Sequence, residues 1–101
     1  MNVVGVDLSL TATGISTAEL TYVVKPLASG MDRLHKLSDA VLDASHPDTT
    51  VFLEGYAFGR PNQAHHLGEL GGVVRYRLYS ALIDYQVVPP ATVKKFATGK
   101  G

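Results

Sequence analysis

A chain of 101 residues, 46% hydrophobic and 18% charged, has the material for one core, and no apolar run approaches the ~20 residues of a membrane span. The absence of cysteine excludes disulfides and thiolate metal sites, which fits a reducing, intracellular setting. Zero formal charge excludes bulk attraction to nucleic acid, yet residues 1–50 carry three basic against six acidic side chains and residues 51–101 carry six against three, so a polyanion would meet the second half.

In chain order, Asn2–Asp7 reads as a buried strand whose apolar run Val3-Val4-Gly5-Val6 closes on a carboxylate. Ala12–Thr17 and Leu20–Lys25 read as two more strands, joined too tightly for a helix, so the three form an antiparallel meander. Ser29 is placed as a helix N-cap with Asp32 three residues on, in a capping-box arrangement. Met31, Leu34, Leu37 and Val41 follow at helical spacing until His46-Pro47-Asp48 ends the element. Val51–Glu54 is short and continuously apolar before its acid, as expected of a strand covered on both faces. Gly55 to Asn62 is a loop with Gly55, Gly59 and Pro61; a helix from about Gln63 to Asp84 follows, with Leu67, Leu70, Gly71, Val74, Leu78, Ala81 and Leu82 on one stripe. Tyr85–Val88 is a fifth strand, and Pro90 starts a further helix through Val93 and Phe96 that Gly99 ends.

The order is β-β-β-α-β-α-β-α. Right-handed crossovers put the fourth strand parallel to the first and beside it. Asp7 and Glu54 then both stand at carboxyl ends of neighbouring strands, the edge where open α/β sheets form their sites. Burying a carboxylate unpaired costs several kcal/mol or forces it to take up a proton. A divalent cation shared by the two remedies this, which points to metal-dependent phosphoryl chemistry.

With this order, the chain resembles the RuvC-type Holliday junction resolvases of the RNase H-like superfamily. The matching stretches run from Val4 to Gly14, over Phe52-Leu53-Glu54, from Ala64 to Gly72 and from Pro89 to Gly101, collinear over nearly the whole chain. The resemblance implies an α/β, RNase H-like fold with a five-stranded mixed sheet of order 3-2-1-4-5 and helices on both faces. It implies a dimeric, cytoplasmic endonuclease, of phage or bacterial type, that cuts Holliday junctions and related branched DNA. The family's first-strand Asp and fourth-strand Glu hold Mg²⁺ or Mn²⁺, which maps onto Asp7 and Glu54, with two ions per complete site hydrolysing the phosphodiester. The family adds acidic residues on a final helix beyond the turn matching Thr98-Gly99-Lys100-Gly101. The chain ends at Gly101, so the expectation is a C-terminally truncated domain that binds metal weakly and cleaves poorly.

Other residues carry plainer readings beside functional ones. Asp7 alone is also a strand-end Asp opening a turn with Ser9 or Thr11. Tyr56 and Phe58 follow Glu54 in a Gly-rich loop, placed to stack on an unpaired base or to fold back on the core. Arg60, Lys94, Lys95 and Lys100 are phosphate contacts or solvated surface, with Lys94 and Lys95 nearest the expected edge. His65 and His66 sit at a helix start, where the dipole does not favour cations. Gly68, Gly71 and Gly72 inside a helix mark a close approach, to the sheet or to a partner's helix. Two other function classes stand beside the nuclease. One is a non-catalytic module that binds branched DNA. The other is an actin-like or sugar-kinase ATPase fragment, since Gly5-Val6-Asp7, Thr11 and Gly14 also resemble that family's phosphate hairpin.

Overall fold

Seven elements, β1 (Asn2–Asp7), β2 (Thr13–Ser16), β3 (Thr21–Val24), α1 (Gly30–Asp43), β4 (Thr49–Glu54), α2 (Pro61–Ser80) and β5 (Asp84–Val88), make up the computed structural model of the chain. It describes residues 2–54 and 61–88, with side chains for 3–54 and 66–88. The sheet order is β3-β2-β1-β4-β5, with β1, β4 and β5 mutually parallel and β2 and β3 antiparallel. This is the mixed sheet of the RNase H-like fold, in the order expected from the crossovers. The helix expected from Pro90 lies outside the described residues. No helix among the described residues is long and apolar enough to cross a membrane.

Strand alternation decides which residues the helices cover. Val4 and Val6 of β1, Ile15 of β2, and Val51 and Leu53 of β4 are buried on one face, against Leu34, Leu37 and Val41 of α1 and Leu70, Val74 and Leu78 of α2. Burial of β4 alternates, Thr49, Val51 and Leu53 inward and Thr50, Phe52 and Glu54 only half-buried. The apolar run of β4 therefore does not have both faces closed by the described helices. Phe52 points the opposite way from its neighbours, because successive strand side chains alternate.

The local devices differ from expectation at three points. Ser29 occupies the N-cap with extended backbone, but its side chain makes no capping hydrogen bond, and Asp32 pairs with Lys36 at 3.4 Å instead of closing a box. The turn between β2 and β3 does without Gly because Thr17 Oγ1 accepts from the Glu19 and Leu20 amides at 3.3 and 3.2 Å. The α2 helix starts at Pro61, a residue favoured at the first helical position, and ends at Ser80 rather than Asp84. Its end is a Schellman motif: the Leu82 and Ile83 amides donate to the Tyr79 and Leu78 carbonyls at 3.1 and 2.9 Å. Ile83 anchors the motif in the core, while Leu82 sits at φ 61° and is 83% exposed.

Arg77 ties α2 to α1. Its guanidinium donates to the buried Ser38 hydroxyl at 2.7 Å and to the Asp39 carboxylate, and Ser38 Oγ passes a hydrogen bond to the His35 carbonyl at 2.9 Å. The hydrogen bond from Arg77 holds the Asp39 carboxyl below its usual range; the charges of His35 and Arg77 reinforce it against an opposing effect of burial.

Two outcomes follow for stability. A left-handed backbone costs a non-glycine residue about 1–2 kcal/mol, and Leu82 has little packing to lose. Leu82→Gly should therefore raise the urea midpoint by an amount worth about 1 kcal/mol. Since Asp39 has a lowered folded pKa, its contribution is present above the unfolded value of 3.8 and is lost as pH falls through the folded one. Asp39→Asn should flatten that acid limb in pH-dependent urea melts; an unchanged limb would show that the Arg77 contact adds nothing.

Candidate active site

Asp7 ends β1 and Glu54 ends β4. On β1, Val4 and Val6 face the helices, so Val3, Gly5 and Asp7 face the other way; on β4 the same alternation sends Glu54 away from Leu53 and the core. The parallel register pairs Val4 with Val51, Gly5 with Phe52 and Val6 with Leu53. One step further along both strands, Asp7 stands beside Glu54. Neighbouring strands lie about 4.8 Å apart. Both carboxylates thus share one face and one edge of the sheet.

Their surroundings differ. Asp7 is exposed, and among the described residues no side-chain hydrogen bond or ion pair engages it. Gly14 pairs with Asp7 across the β1–β2 ladder, and a Cβ added there would lie 3.7 Å from Asp7 Cβ, so that flank of the carboxylate is bare. Glu54 is half-buried, and its Oε2 is shielded from solvent. Two carboxylates are hard oxygen donors, the kind that Mg²⁺ and Mn²⁺ take. The donor set fits such an ion in kind. Among the described residues no third His, Asp or Glu joins them in a cluster, so water and phosphate oxygens would fill the remaining positions.

The connection after Asp7 is not an Asp-initiated turn. Ser9 Oγ accepts from the Thr11 and Ala12 amides at 3.3 Å each, and the Ser9 amide donates to Thr13 Oγ1 at 3.1 Å. This occupies amides that the phosphate hairpin of an ATPase would need for its ligand. Sequence reasoning passed over Thr13; the signal was the alternating hydroxyls Ser9, Thr11 and Thr13 at a strand end.

The remaining candidates separate. Tyr56, Phe58, Arg60, Lys94, Lys95 and Lys100 lie outside the described residues, as does the His65 side chain. His66 Nδ1 lies 3.6 Å from Glu69 Oε1 on its own helix. Both line a cleft of about 340 Å³ with Leu10, Met31, Arg33 and Leu34, bounded by α1 and α2 and so on the helix-bearing side, away from the two carboxylates. The three glycines of α2 do not share one role: Gly71 is buried, whereas a Cβ added at Gly68 or Gly72 would meet open space. Tyr76 and Tyr79 are exposed further along the helix.

No family model matches the chain. Over its whole length it is similar to the crossover junction endodeoxyribonucleases RuvC of Mycobacterium sp. strains KMS, JLS and MCS, each 30% identical over 116 aligned positions. The chain spans 63% of the length of each of these relatives. The RuvC-like relationship therefore extends through all seven elements described above.

The paired acids generate a linkage prediction. Without metal, removing one of two adjacent like charges relieves repulsion, so Asp7→Asn should hold or slightly raise the melting temperature in chelator. Excess Mn²⁺ should raise the melting temperature of the parent and leave that of Asp7→Asn and Glu54→Gln unchanged. Equal Mn²⁺ shifts in all three would remove these carboxylates from any cation site.

Proposed function

We propose that this chain is the catalytic part of a RuvC-like nuclease that hydrolyses phosphodiesters in branched DNA such as the Holliday junction. The observation that carries the reading is the β1–β4 register, which sets Asp7 and Glu54 side by side on one sheet face. The similar proteins are RuvC crossover junction endodeoxyribonucleases, and the similarity covers both strands. Asp7 and Glu54 would hold Mg²⁺, or Mn²⁺ in its place, with two ions in a complete site. Such ions supply a nucleophilic hydroxide at neutral pH and charge stabilisation for the leaving oxygen.

The protein's own contribution is placement. Both acids sit at the ends of neighbouring strands of the central sheet. Without a cation, their paired negative charge repels the phosphate backbone. With one, the same edge attracts it, which makes metal and DNA mutually supportive ligands. Tyr56 and Phe58 follow Glu54 and are assigned to stacking on unpaired bases. Arg60, Lys94, Lys95 and Lys100 are assigned to phosphates, which set register without reading sequence. The open flank at Gly68 and Gly72, with Tyr76 and Tyr79 beyond, is the face of α2 through which two copies would pair, and a two-fold dimer suits a two-fold junction.

One second reading has an observation behind it. Among the described residues the acidic group stops at two carboxylates, which is consistent with a module that binds branched DNA without cutting it. A synthetic four-way junction separates the two. The nuclease reading expects weak Mg²⁺-dependent cutting that is lost in Asp7→Asn and in Glu54→Gln, with junction binding kept. Junction binding without cutting at any Mg²⁺ or Mn²⁺ concentration would favour the second reading.

A further inference from the structure

The hydroxyl of Thr13, fully buried, is used twice on a single residue. It accepts from the Ser9 amide at 3.1 Å and donates to the Ser9 carbonyl at 2.6 Å. A side chain here does what an opposing strand does with its backbone, immediately beyond the Asp7–Gly14 pair that closes the ladder. Ser9 Oγ then gathers the Thr11 and Ala12 amides inside the loop. Asp7 is consequently held from both sides: by the β1 ladder at its own position, and by the clamp on Ser9 two residues later. Its carboxylate takes no part in the clamp.

We propose that Thr13 is a positioning residue for Asp7: by pinning Ser9, it fixes the backbone that aims the Asp7 carboxylate, so that the pair with Glu54 is preformed for a cation. This inference rests on the cation role of Asp7 and Glu54 argued above. Partners outside the coordination shell that orient a ligand typically change metal affinity 10- to 100-fold. Thr13 acts at that remove, through Ser9 and the backbone.

The plainer role for a buried hydroxyl is stability alone, and the molecule contains a matched control. Thr49 is equally buried, and its Oγ1 accepts from the His46 amide at 3.1 Å, at the opposite end of β4 from Glu54. The experiment is a Mn²⁺ titration of the 101-residue chain, followed by paramagnetic broadening of the Asp7 and Glu54 amide resonances at a temperature where every variant is folded. Thr13→Val should need about tenfold more Mn²⁺ for the same broadening, with faster hydrogen exchange at the Ser9 amide, which loses its acceptor. Thr13→Ser, which keeps the hydroxyl, should restore both. Thr49→Val should lose stability and keep the parent's Mn²⁺ response. Thr13→Ala carries the same expectation as Thr13→Val if the latter does not fold. A Thr13→Val or Thr13→Ala protein with the parent's Mn²⁺ response overturns the positioning role while leaving the cation site standing. A parent in which Mn²⁺ broadens neither Asp7 nor Glu54 overturns the cation site itself, and the positioning role with it.

Discussion

Everything distinctive about this molecule depends on the parallel pairing of β1 with β4. The pairing is set by apolar content: Val4 beside Val51 and Val6 beside Leu53 fill one face, and a slip of one residue would turn those side chains outward. Hydrophobic burial thereby fixes the relative height of the two strands. The acids at their ends inherit that alignment from the residues before them. A repulsive pair of charges is kept together by the aliphatic residues preceding it.

The second constraint is the asymmetry of cover. Both described helices pack on one face, fastened to each other by the Arg77 contacts to Ser38 and Asp39. The carboxylates emerge on the other. The helices and the two carboxylates thus lie on opposite sides of one sheet.

Much of this was legible in the chain because two periodicities are strong in it. Tight connections between the first three segments dictated a meander, and the handedness of crossovers then left one order for the sheet. The placement of Asp7 and Glu54 at the ends of neighbouring strands followed from that order. What escaped was of a different physical kind. Thr17 and Thr13 build turns through side-chain hydroxyls, and nothing in periodicity marks them. Leu82 ends α2 in a conformation that glycine usually takes, so its apolar character extended the apparent helix. Phe52 completed an apolar run yet faces away from the core, since a run alone does not say which face each member takes. Ser29 and Asp32 have the residue types of a capping box, but the i, i+4 attraction to Lys36 claims the acid.

The half-covered face has a consequence for how the edge would respond to company. Thr50 and Phe52 lie on the same side as Glu54, only partly hidden from water. Any body that settles on that surface, whether duplex or polypeptide, strips solvent from ring and acids together. Coulombic attraction strengthens as the local dielectric drops. A body docking there would therefore deepen the field of the two carboxylates, tying the charge of that edge to whatever covers it.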